Sequence, residues 1–202
     1  MSNIRRLTLV LAAAIVGAAF GVSLSLIPSP TSVHDFWASN LAAPWIILIF
    51  CMGWVQRQPL WGAFSGAAAG VLAIFGFYAQ FLLQQNRGPN DPVRKSIAEE
   101  VQANLPTWLP FVAPWILVGF TAGIAYGFIG GRWGDSRTIS SILLIAFSIA
   151  LEPVGWRIYI GYFRDPWILW IVEPLFGATL IIWAWRNRGR QQVTPTPGAT
   201  GE

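Results

Sequence analysis

Two glutamates stand inside long apolar runs, each followed directly by proline: Glu152-Pro153 and Glu173-Pro174. A carboxylate at that kind of position is costly unless a cation, a proton or hydrogen-bond donors accompany it, so each is a candidate functional group. They stand on either side of the polar link Arg157 to Asp165, six and seven residues in from run ends near Ile158 and Pro166. Antiparallel helices joined by that link would carry them at nearly one depth, about 9–10 Å below one surface at 1.5 Å of rise per residue. Each proline frees a backbone carbonyl one turn earlier, at Ile149 and Trp170. Ser148 falls on the stripe of Glu152, and Trp170 and Gly177 flank Glu173 at i−3 and i+4. Tyr78 and Gln80, with Asn40, reach the same level from other runs. Two carboxylates, freed carbonyls and an aromatic face suit a small cation or a protonated amine. The ligand-binding set expected from sequence is therefore Glu152, Glu173, Trp170, Ser148, Tyr78 and Gln80. A competing reading needs no ligand, because Arg157 and Arg164 in the link could pair with the two carboxylates.

The elements that would position these residues are apolar helices. Charged residues make up 11% of the chain and hydrophobic ones 54%, a balance suited to lipid rather than to a soluble domain. Six apolar runs, at about 5–27, 36–55, 60–83, 108–131, 138–157 and 166–185, are each near the length a membrane helix requires. The expected fold is all-α, a six-span helical transmembrane bundle over residues 1–187, followed by a disordered polar tail at 188–202. The only long polar connection, residues 84–107, contains Asp91-Pro92 followed by Val93, Ile97 and Val101 at helical spacing. That pattern predicts a short amphipathic interfacial helix between the third and fourth spans.

Small residues recur at four-residue spacing on three of the spans. Gly17 and Gly21 lie on the first, Gly62, Gly66 and Gly70 on the third, and Gly119, Gly123 and Gly127 on the fourth. Such faces let helix backbones approach closely in lipid, so these glycines are read as packing positions or as docking faces for a partner. The Pro-Trp steps APWI at 43–46, APWI at 113–116 and DPWI at 165–168 fall near the outward starts of the second, fourth and sixth spans. The steps are open to two readings, three repeated hairpins with the first two offset by 70 residues, or independent preferences for proline in a first helical turn and tryptophan at headgroup level.

Eight Arg against five Lys or Arg, counted on the two sides of a six-span topology, place both termini in the cytoplasm. Arginine in preference to lysine, with abundant Ala and Gly, suggests a bacterial cytoplasmic membrane. With one cysteine, Cys51, and one histidine, His34, the chain has no Cys/His metal set or disulfide of its own. No HExxH, GxGD or serine dyad motif is present, so the sequence implies no enzyme and no cofactor, and its charges form no face for nucleic acid. Its expected partners are the bilayer, a small cationic solute, and a membrane protein or second copy.

In architecture the chain resembles the substrate-binding membrane component of energy-coupling-factor vitamin transporters, with about 200 residues, six spans and small-residue faces on spans one and three. That resemblance implies a pocket opening outward and a partner docked on the small faces. Two functions follow as expectations. One is an outward-facing acidic-aromatic cavity that binds or transports a small cationic or amine solute. The other is a non-catalytic accessory or assembly subunit of a larger membrane complex.

Overall fold

The computed structural model describes residues 2–27, 41–85, 97–136, 139–160 and 167–191. These form six α-helices: α1 (Asn3–Ser25), α2 (Ala42–Gln56), α3 (Pro59–Gln85), α4 (Ile97–Ser136), α5 (Ile139–Ile160) and α6 (Trp167–Gln191). Three helical stretches are long and apolar enough to cross a membrane: Asn3–Ser25, Pro59–Gln80 and Trp108–Ser136. Ala42–Gln56 and Ile139–Val154 are apolar but shorter. At 15 residues, α2 is about 22 Å long, less than the thickness of a hydrocarbon core.

Helix α3 is the hub. It packs along α4 on one side and α1 on another, with α2 filling the third, while α5 and α6 pair with each other and join the rest through α2 and α4. The α3–α4 seam is built from glycine on both helices. A Cβ on Gly62, Gly66 or Gly70 would stand 2.4, 2.2 or 2.3 Å from the carbonyl oxygen of Gly127, Gly123 or Gly119 respectively. Neither helix can carry a side chain there without moving its neighbour's backbone. On an adjoining face of α3, Gly17 and Gly21 of α1 meet the backbones of Ala69 and Ala73 in the same way.

The two groups of helices are joined by a hydrophobic core. Ala43, Ile46 and Phe50 of α2, Trp133 of α4, Ile142, Ile145 and Ile149 of α5 and Ala184 of α6 are all buried in it. The outward surface is apolar too, with Leu11, Ile15, Phe64, Phe111, Leu117, Phe147, Leu175 and Trp185 among its exposed residues. Exposed aliphatic and aromatic surface on that scale is compatible with insertion into lipid.

Three departures from the sequence-based expectations concern boundaries. The polar residues from Ile97 onward do not form a separate interfacial helix, because they are the first turns of α4, a single helix of 40 residues and about 60 Å. Residues 86–96, including the expected cap Asp91, lie outside the described set. Pro106, Pro110 and Pro114 sit within α4 at four-residue spacing, on one exposed face, so the carbonyls they leave unbonded are turned away from the packed side. The Pro-Trp steps therefore differ in setting: Pro44 is in the first turn of α2, Pro114 is deep inside α4, and Trp167 opens α6. At the other end of the chain, α6 runs to Gln191, past the expected end of the membrane domain.

Candidate functional site

The start of α2 determines what the first glutamate does. Its N-cap is Leu41, which has no side-chain hydrogen bond to offer, so the first N–H groups of this helix need another acceptor. Pro44, the third helical residue, has no N–H, leaving Ala42 and Ala43. Both donate to Glu152 of α5: Ala42 N–H to Oε1, and Ala43 N–H to Oε2 at 2.8 Å. One carboxylate thus serves as the N-cap of a helix 110 positions earlier in the chain. Its negative charge also lies at the positive end of the α2 dipole. Glu152 is only 8% exposed, and this arrangement gives its charge hydrogen-bond donors where water is excluded.

The second glutamate has no such provision. Glu173 of α6 is 5% exposed, and neither Oε1 nor Oε2 meets a hydrogen-bond donor among the described residues. Its neighbour across the α5–α6 contact is Glu152, close enough for the two charges to act on one another. The helices meet here through Gly177, whose absent Cβ would stand 2.8 Å from the carbonyl oxygen of Ala146. The site therefore consists of one carboxylate held by backbone N–H groups and a second whose side-chain neighbour among the described residues is that same carboxylate. A buried carboxylate of the second kind is stabilised by a bound cation, by a donor from a ligand or by its own proton.

The other residues of the expected set divide between two places. Ser148 is one turn from Glu152 on α5; its hydroxyl donates to the Leu144 carbonyl and accepts from the Tyr126 hydroxyl of α4 at 2.9 Å. Tyr78 lies on α3, its ring edge-on to Phe77 and to Phe111 of α4. Gln80, half-buried, is also on α3, a helix whose extended packing is with α1, α2 and α4 and not with the α5–α6 pair. The side chains of Trp170, Arg157 and Arg164, and all of Asn40, lie outside the described residues. The glycines expected as packing or docking positions, Gly17, Gly21, Gly62, Gly66, Gly70, Gly119, Gly123 and Gly127, all lie against backbone or side chains of the same chain.

What sequence reasoning missed is the pairing of Glu152 with the α2 backbone. The signal was present in Leu41-Ala42-Ala43-Pro44, a helix start with no Ser, Thr, Asp or Asn to cap it. A second missed cluster lies at the opposite end of α2. Gln56, 2% exposed, donates through Nε2 to the Ser65 hydroxyl at 2.6 Å and to the Arg6 carbonyl at 3.2 Å. No family model, curated protein or solved structure matches this chain.

Proposed function

We propose that this chain is a six-span integral membrane protein of a bacterial cytoplasmic membrane, with both termini in the cytoplasm, that binds or passes a small cation or protonated amine at Glu173. The observation that carries the reading is the pair of Glu173 oxygens, buried and without hydrogen-bond partners beside an already engaged Glu152. A site with one committed and one free carboxylate suits a single positive charge rather than two. In this reading α2, α5 and α6 complete the six spans, and the short α2 is accommodated by burial against α3, α4 and α5. In this reading the role of the site is that of a binder or carrier. The runner-up, an accessory subunit that docks through its small-residue faces, has less support because those faces already meet backbone of their own chain.

The test is reconstitution of the full chain in liposomes and measurement of retention and uptake of sodium, potassium and methylammonium. Retention of one of these, abolished in Glu173→Gln with the thermal unfolding profile kept, supports the reading. If no cation is retained, or Glu173→Gln retains it as the wild type does, the reading fails.

A further inference from the structure

The end of the molecule away from the glutamates carries a second buried polar centre that the cation reading does not use. Arg6 of α1, Gln56 at the last position of α2, and Trp61 and Ser65 of α3 meet there. Both hydrogens of the Gln56 amide nitrogen are committed, one to a backbone carbonyl and one to the fully buried Ser65. The Arg6 carbonyl can only accept, so it fixes which way the amide faces and turns Oε1 elsewhere. Among the described residues that Oε1 is buried without a donor, and the Nε–H of Arg6 is buried without an acceptor. The Arg6 guanidinium carbon lies 5.9 Å from the centre of the Trp61 ring. Gln58 Oε1, two residues further on, is also buried without a partner.

A single ligand that completes this centre must accept from a guanidinium and donate to an amide oxygen. A bare anion supplies only the first, and a cation only the second while being repelled by Arg6. The surroundings point to where the ligand comes from. Leu7 and Leu11 of α1 and Leu60 and Phe64 of α3 are exposed apolar residues flanking the cluster in sequence, and Arg5 and Arg57 add positive charge at the same helix ends. We propose that Arg6, Gln56 and Trp61 form a headgroup site for an anionic phosphoglycerol lipid: the phosphate accepts from Arg6 Nε–H, and a headgroup hydroxyl donates to Gln56 Oε1. The acyl chains lie along the exposed apolar residues of α1 and α3. Basic pockets between membrane helices recognise anionic headgroups in this manner. The inference rests on the membrane reading of the chain but not on the cation at Glu173.

The experiment is native mass spectrometry of the delipidated full chain in detergent, offered short-chain phosphatidylglycerol, phosphatidylcholine and soluble glycerol 3-phosphate. Phosphatidylcholine has the phosphate but no donor hydroxyl, so phosphatidylglycerol is expected to be retained up to about tenfold better, the scale of one neutral hydrogen bond. Gln56→Met, which lacks the accepting oxygen, is expected to remove that preference, Arg6→Gln to weaken retention of both lipids, and Arg5→Gln to change neither. Equal retention of the two lipids by the wild type overturns the proposal even if Gln56→Met does not fold. So does an unchanged preference in a folded Gln56→Met, undiminished retention of both lipids in a folded Arg6→Gln, or retention of glycerol 3-phosphate to the same extent as the lipid. Glu173→Gln, which ends cation retention if that reading holds, leaves the lipid preference intact, so the two readings fail separately. Recovery of the chain as a soluble protein without detergent would remove the basis of both.

Discussion

The two glutamates share a residue type and a following proline, yet the structure gives them opposite circumstances. Glu152 accepts from two backbone N–H groups that have no other partner, so its removal strands both donors in a buried place. Replacing it with alanine is expected to cost about 2 kcal/mol of stability, the upper range for loss of a helix cap. Glutamine, which keeps one accepting oxygen, is expected to cost roughly half of that. Glu173→Gln removes a carboxylate without partners, and the expected change in stability is near zero or favourable. Unfolding of the three variants in mixed micelles, followed by helical circular dichroism, checks the order. A Glu152→Ala protein as stable as the wild type would show that the α2 start is satisfied in some other way.

How far the site was legible divides along the same line. That both glutamates are buried could be read from their apolar surroundings, since burial follows from local composition. Which one is engaged could not, because the donors that engage Glu152 are backbone groups of another helix and leave no side-chain signature. The uncapped Leu41 showed that α2 needed an acceptor but did not say which. The same limit applies to Gln56 and Ser65, whose hydrogen bond joins two adjacent helices that the sequence presents only as apolar runs broken at Pro59.

At the scale of elements, the glycine spacing on α3 and α4 becomes a seam in which one helix's Cα atoms meet the other's carbonyls. A side chain at Gly66 has no flexible neighbour to displace, because its Cβ would fall 2.2 Å from the Gly123 carbonyl oxygen and 2.7 Å from the Gly127 Cα. Gly66→Leu is therefore expected to separate α3 from α4 and destabilise the fold by more than about 3 kcal/mol, a cost seen only for severe packing faults. Size-exclusion chromatography with thermal unfolding checks this: loss of the folded species is expected. A Gly66→Leu protein that folds normally but loses a membrane partner would transfer that face from the bundle to a complex. Spacing alone could identify the face but not its occupant, since every small-residue stripe satisfies the same geometry. The start of α4 was misread for a related reason. A polar stretch with prolines reads as a break, yet three prolines four residues apart share one face, and a helix can continue behind them when that face is not packed.

For the whole molecule, the membrane reading requires that the ends of α1, α2 and α3 that carry Arg6, Gln56 and Trp61 lie on one side and the Glu152–α2 contact towards the other. The α2 axis joins the two centres: its first N–H groups meet Glu152 and its last residue meets Ser65, about 22 Å apart along the helix. In the proposed six-span topology the excess of arginine on the terminal side would assign that side to the cytoplasm, and Glu173 would then lie in the outer half. Single cysteines introduced into a Cys51→Ser background, at position 200 and at position 90, test this in intact cells with a membrane-impermeant maleimide. Position 90 is expected to label from outside and position 200 only after the cells are opened. The reverse pattern would invert the molecule, turn Glu173 towards the cytoplasm and move the Arg6 headgroup site to the outer leaflet. Labelling of both positions from one side would mean that an even number of crossings lies between them, and α4, α5 and α6 could not all be spans.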